Sequence, residues 1–424
     1  MKATDQIKHA AFEKTLDYLL EDPERNATKI MDMLDKVAPA DLFPSQRTAF
    51  RNAIDQQSNW HQLITRVLEL NPAMRNDFIK TFLVDGNLMA WPKQETMREK
   101  HRCNVPWAIL LDPTSACNLH CKGCWAAEYG NKLNLTYDEI DSIIRQGKEM
   151  GTYFYIYTGG EPLVRKKDLI KLCEVHSDAI FMCFTNGTLI DEQFAADMMR
   201  VKNFVPVISV EGYEESMDSR RGDGTYQRAV KAMNLLKSHR LPFGNSICYT
   251  SVNIKDVSTE AYVDQLVDWG SYFVWYFHYM PVGKDAVPEL LPSPEQREHM
   301  YHQIRTLRGK KPIFHAGLPE RRRVCGRLHR RRPALPPHQR QWRLRPLRVH
   351  SLLRLQHPGK DPAGGPALPP VHGLPRRAAL QRQPPASLPH AGESREAAGD
   401  RPQVRRPSQR CHRCGRGRRS VRQM

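Results

Sequence analysis

An α/β fold is predicted: a partial (βα)6 barrel of the TIM type, with an N-terminal helical region and a disordered C-terminal tail. Three observations carry it. Between about Val105 and Gly283, short apolar runs alternate with amphipathic segments. Before them, apolar residues recur three and four positions apart, as at Ile30, Met33, Leu34 and Val37. After about Phe314 the residue types that build cores nearly vanish. The boundaries follow: a helical region over 1–100, a core over 101–285, a helical end of the core over 286–314, and an Arg/Pro-rich tail over 315–424.

The helical region is punctuated by Pro39, Pro44 and Pro72, and holds no cluster of chemically active residues. It reads as a cap or scaffold. In the core, Trp107–Leu111 is the first strand. Thr136, Tyr137, Asp138 and Glu139 form a capping box that opens a helix running to about Met150. Strands are expected at Tyr153–Tyr157, Ile180–Phe184, Phe204–Val210, Asn245–Thr250 and Phe273–Tyr279. The helices between them are expected at Lys167–His176, Asp191–Arg200, Tyr226–His239 and Thr259–Trp269. Continuous apolar strands alternating with amphipathic helices imply a parallel sheet covered on its outer face, and right-handed crossovers curl it into an open barrel. Chemistry in such folds collects at the carboxyl ends of the strands.

Charge separates the chain into two unlike pieces. The net charge is +18, from 64 Lys and Arg against 46 Asp and Glu. From Ala316 onward there are 26 basic and 5 acidic residues, which leaves 38 against 41 in residues 1–315. The basic character belongs to the tail alone, so the core does not read as a nucleic-acid binder. The amino terminus is charged and amphipathic rather than signal-like, and no apolar run approaches the length of a bilayer span. Ten cysteines, three of them tightly clustered, suit metal binding in a reducing compartment and point to a cytoplasmic protein.

The clustered cysteines are Cys117, Cys121 and Cys124, a CxxxCxxC triplet directly after the first strand. Three thiolates on one short loop can each hold a different iron of a [4Fe–4S] cubane and leave the fourth iron open to a substrate. A zinc site would need a fourth ligand, and His120 is the candidate at hand. His120 adjoins Cys121, a spacing that tetrahedral sites seldom accept.

With this triplet, its place after the first strand, and Gly159, Gly160, Glu161 and Pro162 at the end of the second, the chain resembles the radical S-adenosylmethionine (SAM) superfamily. Within it, the chain looks like the branch that often carries a cysteine-rich C-terminal extension of the SPASM type. The resemblance covers about Val105 to Gly283. It implies a [4Fe–4S] cluster and SAM as cofactors, and a one-electron donor such as a flavodoxin or ferredoxin as partner. Gly159, Gly160, Glu161 and Pro162 would then receive the SAM amino group, with Thr185 and Asn186 on the same rim. Ser209 and Glu211 fall in the segment that contacts the ribose, and Arg221 where an arginine pairs with the SAM carboxylate. Its neighbour Arg220 reads as a solvated charge. One departure concerns Gly123, where the family often has an aromatic residue near the adenine; Trp125 is a possible substitute. Cys173, Cys183 and Cys248 read as small hydrophobes inside helix or strand. His278 and Tyr279 read as barrel lining.

The tail holds no Phe, Tyr, Ile, Asn or Thr, and 16 of the 31 prolines. Such a segment cannot offset its ordering entropy. An arginine-rich RNA-binding tail and a zinc knuckle at Cys411, His412 and Cys414 are two readings of it. A third is a frameshift near His315, because GC-rich coding DNA read out of frame yields Arg, Pro, Ala, Gly, Leu and Gln. The stretch His338–Gln356 admits codons that, one base later, spell a strand–turn–strand with three cysteines. The lost segment would then be an auxiliary-cluster domain. Such an extension favours a peptide or protein substrate; the alternatives are an RNA, lipid or small-molecule substrate.

Overall fold

In a computed structural model the protein is described over residues 3–37, 44–126, 132–283 and 285–317. Residues 315–317, read as the start of the disordered tail, instead belong to a strand, and the rest of the Arg/Pro-rich segment, with its disorder, zinc-knuckle, RNA-binding and frameshift readings, lies outside these residues. The helical region forms as expected: α1 Ala3–Glu21, α2 Pro23–Val37, α3 Pro44–Asp55, α4 Asn59–Leu68, α5 Pro72–Lys80, a π-helical stretch Thr81–Met89, and α6 Ala90–His101.

Strands and helices then alternate. The order is β1 Ala108–Thr114, α7 Tyr137–Met150, β2 Phe154–Gly159, α8 Lys166–Val175, β3 Ile180–Thr185, α9 Glu192–Val201 and β4 Phe204–Val210. It continues with α10 Glu214–Arg221, α11 Thr225–Ser238, β5 Gly244–Tyr249, α12 Ile254–Val257, α13 Glu260–Asp268, β6 Phe273–His278, α14 Pro294–Arg308 and β7 Phe314–Gly317. The capping box of α7 is present, with Thr136 accepting from the Glu139 N–H and Glu139 accepting from the Thr136 N–H. Ser293 and Gln296 form a second capping box on α14, and Asp191 and Thr259 cap α9 and α13 by accepting from the N–H three residues on.

The strands pair in sequence order and all in parallel. Among the described residues β7 does not pair back to β1, so the barrel stays open. The sequence predicts six strands and a helical end; α14 is that helix, and β7 adds a seventh strand. Its four residues, Phe-His-Ala-Gly, carry no apolar run, and pairing with β6 supplies what propensity does not.

Alternation along the strands separates two environments. Tyr155, Tyr157, Phe181, Cys183, Ile208 and Tyr276 face the helices in one large core and are buried. Phe154, Ile156 and Ile180 face the lumen, where Leu110, Met182, Phe184 and Trp275 pack with them. Phe78 and Phe82 from the helical region join this inner cluster, Phe82 meeting Phe154 edge-on at 6.3 Å. The N-terminal helices therefore stopper the amino-terminal end of the barrel. Arg66 on α4 fastens them by donating to the carbonyls of Pro312 at 2.6 Å and Ser271 at 2.9 Å. Higher in the lumen, towards the carboxyl ends, Asp112, Thr158, Phe184, Ser209, Cys248 and Phe277 are only half-buried, which leaves the upper lumen open to solvent.

Candidate active site

The cluster loop leaves β1 and is held from three sides. Gly160 and Glu161 donate their backbone N–H groups to the carbonyls of Thr114 at 2.9 Å and Ala116 at 2.8 Å, so the GGEP turn after β2 clamps the start of the loop. A Cβ on Gly160 would stand 2.2 Å from the Ala116 carbonyl oxygen, which restricts this position to glycine. On the next side, Asn186 after β3 donates to Asn118 at 2.8 Å, and Asn118 donates to Thr188 at 2.8 Å. On the third, the Lys122 N–H donates to the Arg220 carbonyl at 2.7 Å.

Glu161 ties the turns after β2 and β3 together. It is 1% exposed, and its carboxylate accepts from Leu163 N–H at 2.9 Å, Thr185 Oγ1 at 2.8 Å and Asn186 N–H at 2.7 Å. Burial raises its pKa, and these donors pull it back. Its carboxylate is a brace; the backbone of the GGEP turn is the part that faces the rim.

On the opposite wall Glu211 is fully buried at the end of β4. It takes Arg220 Nη1 at 2.5 Å, Arg221 Nη2 at 2.5 Å and Arg221 Nε at 2.9 Å on a single oxygen. Both arginine side chains are 12% exposed. Arg220 is thus not the solvated charge its sequence context suggests. Two adjacent residues in the last turn of α10 reach one carboxylate because the helix ends directly above β4. Ser209, on the lumen side of β4, pairs with Ser246 of β5 at 3.0 Å.

Gly123, at φ +69°, owes its identity to Tyr279. A Cβ there would stand 2.5 Å from the Tyr279 hydroxyl and 3.0 Å from its ring. The ring lies under the Arg220 guanidinium at 5.9 Å and its hydroxyl accepts from the Val287 N–H at 2.8 Å. Tyr279 is therefore a wall of the cluster loop, a role the sequence signalled only through the missing side chain at Gly123. Cys248 also belongs to this site: burial pushes its thiol up to about 11, while the charges of Arg220 and Arg221 act in the opposite direction.

The three loop cysteines are free and half-buried. Burial pushes Cys117 up to about 11; the Leu119 N–H opposes this, and Cys121 and Cys124 add to it. Burial also raises Cys121, against the pull of Arg221. Among the described residues no three His, Cys, Asp or Glu side chains are gathered closely enough for a single metal ion. A mononuclear tetrahedral site needs every sulfur about 2.3 Å from one ion. A cubane takes each thiolate on a separate iron, so three free thiols on one short loop suit it without a fourth protein ligand. The donor set therefore suits an iron–sulfur cluster more than zinc.

Residues 111–264 match the profile of the Radical SAM superfamily. The chain carries a radical SAM domain. The superfamily uses a [4Fe–4S] cluster and SAM. Curated relatives include the uncharacterized protein MJ0907 of Methanocaldococcus jannaschii, 26% identical over half of this chain and 75% of that protein. Another is the AdoMet-dependent heme synthase of Methanosarcina barkeri, 26% identical over 47% of this chain and 59% of that enzyme. A GTP 3′,8-cyclase of Geobacter sulfurreducens is 33% identical over 27% of this chain and 35% of that one. Among solved structures, Streptococcus suis SuiB bound to S-adenosylmethionine aligns at TM-score 0.45 and 18% identity, covering 54% of each chain. No helix among the described residues is long and apolar enough to cross a membrane.

One carboxylate in the radical SAM domain has no counterpart in the resemblance. Asp112 follows Leu111, which faces the helices, so it points into the lumen. Its Oδ1 is buried without a hydrogen-bond partner, and burial pushes the carboxyl up to about 6. A carboxyl raised in the folded state binds its proton there first, so stability falls as pH rises through about 4 to 6. Asp112→Asn should weaken that fall and stabilise the chain at pH 7 by on the order of 1–2 kcal/mol, since it removes the cost of a buried charge and keeps only that of a buried amide. Urea unfolding of parent and variant between pH 4 and 8 checks this. A variant less stable than the parent at pH 7 would contradict it.

Proposed function

We propose that this protein binds a [4Fe–4S] cluster on Cys117, Cys121 and Cys124 and cleaves SAM reductively to abstract a hydrogen atom from a substrate in the lumen. The observation that carries the reading is one rim. The cysteine loop, the GGEP turn and the Glu211–Arg220–Arg221 group meet at the carboxyl ends of β1, β2 and β4, above an open lumen. When bound, the cluster held by these three cysteines would supply the electron for reductive cleavage of SAM.

The chain's own residues do the binding and orienting. The GGEP backbone, held by Glu161, would receive the SAM amino group, with Thr185 and Asn186 beside it. Arg221 would face the carboxylate with its remaining donor while Glu211 fixes its plane. Ser209 and Glu211 lie on the strand that would meet the ribose. Phe184, Trp275 and Phe277 would give the lumen an apolar wall for a bound substrate.

Peptide or protein modification is the substrate class favoured by the SPASM-type resemblance, with a flavodoxin or ferredoxin as electron donor. A small-molecule substrate is the second reading, supported by relatives named as heme synthases and GTP cyclases. Anaerobic reconstitution with iron and sulfide, followed by dithionite and SAM, should give 5′-deoxyadenosine and methionine in equal amounts. A reconstituted protein with its full iron complement and no 5′-deoxyadenosine would overturn the reading.

A further inference from the structure

Among the described residues, the lumen contains one carboxylate with an unpartnered buried oxygen. Along the lumen-facing positions above the aromatic stopper, the strands offer Asp112, Thr158, Ser209, Ser246, Cys248 and Phe277. Ser209 and Ser246 satisfy each other, and Glu211, Arg220 and Arg221 bind one another at the rim with one positive charge in excess. Asp112 makes no hydrogen bond or ion pair with any described residue, and one of its oxygens is cut off from water. An unpaired buried carboxylate is costly, and folding alone would favour an apolar residue here. Such a group persists where a ligand completes it.

The surroundings indicate the charge and body of that ligand. Phe184, Trp275 and Phe277 form a three-ring cluster in the same lumen, with centroids 5.6, 5.7 and 5.8 Å apart. Aromatic faces are negative and attract cations, so the rings and the carboxylate select for the same sign. No Lys, Arg or His is among the causes that shift Asp112, so no internal cation neutralises it. A neutral donor could hydrogen-bond the carboxylate but would leave its charge unneutralised.

We infer that Asp112 is a substrate-recognition residue: it receives an ammonium or guanidinium group of a substrate whose apolar body lies against Phe184, Trp275 and Phe277. This rests on the reading of the lumen as the substrate site. The charged donor and the carboxylate form a charge-assisted hydrogen bond, which is stronger than one between neutral groups.

Phenethylammonium and its neutral isostere 2-phenylethanol are the probes. Each is titrated calorimetrically into the full chain at pH 7.5, with reconstituted cluster and saturating SAM. The amine should bind the parent more tightly than the alcohol. Asp112→Asn should weaken the amine about tenfold to a hundredfold and leave the alcohol unchanged. The variant should melt no lower than the parent, a result that a structural carboxylate would not give. If asparagine unfolds the chain, Asp112→Ser repeats the measurement with a smaller neutral side chain.

Equal amine affinities in parent and variant would overturn the proposal, and so would the absence of amine binding to the parent. Amine binding that appears only when SAM is omitted would assign Asp112 to the SAM ammonium instead, and overturn it as well. Formation of 5′-deoxyadenosine by the parent is scored separately. Its absence counts against SAM cleavage, while the amine titration still decides the role of Asp112.

Discussion

Replacing Cys117, Cys121 or Cys124 by alanine is expected to remove most cluster iron and to abolish 5′-deoxyadenosine formation, with little loss of fold stability. The two halves of this expectation have different causes. Each thiolate would hold one iron, and a cubane held by only two cysteines is labile, so iron is lost with any one of them. The fold does not depend on these thiols, because the loop is pinned by backbone bonds. Gly160 and Glu161 hold Thr114 and Ala116, and Lys122 holds Arg220. The cysteines are half-buried and take one weak contact, from the Leu119 N–H to Cys117 Sγ at 3.4 Å. Iron and sulfide content, the visible absorption of the cluster and the melting temperature of the apo chain together check it. A double variant that kept its iron and still cleaved SAM would place the cluster elsewhere.

Much of the fold was legible because its period is simple. Apolar strands of six or seven residues separated by capped amphipathic helices leave few alternatives, and the capping box at Thr136 and Glu139 starts α7 where the sequence places it. β7 was not legible, since Phe-His-Ala-Gly becomes a strand only by pairing with β6. The cysteine triplet and the GGEP turn could be read from spacing. What could not be read were contacts made across the barrel. Tyr279 comes from β6 to fill the space above Gly123, some 150 positions earlier in the chain. Asp112 could have been flagged as an acid within an apolar strand, but its isolation is visible only once the lumen closes around it. Cys248, read as a small hydrophobe, sits near Arg220 and Cys124 because β5 carries it to the same rim.

Arg220 is the clearest case of a sequence reading reversed by packing, and it leads to the second large effect. In sequence, one arginine of the pair matches a ligand-binding position and the other looks idle. In the structure both reach Glu211 Oε1, and Asn253 donates to the Glu211 carbonyl at 2.9 Å. Glu211→Gln should therefore cost about 3–5 kcal/mol of stability, because it leaves two like charges buried against a neutral amide. Arg220→Gln or Arg221→Gln should each cost less, since a neutral one-to-one pair remains. Removing Glu211 and one arginine together should recover part of the loss, giving a coupling in the double-mutant cycle. The same group holds the cluster loop through the Arg220 carbonyl and the ring of Tyr279, so Glu211→Gln should also lower the iron retained after reconstitution. Arg221→Lys should weaken SAM binding directly, and Arg220→Lys should weaken it as well, since the two arginines share one acceptor and each loses planar contacts within that group. Urea unfolding, iron content and SAM dissociation constants measure these three effects. Glu211→Gln with parental stability would show that the buried pair of arginines is compensated by some other acceptor. SAM affinity lost in Arg221→Lys but kept in Arg220→Lys would restore the division of labour that the sequence suggested.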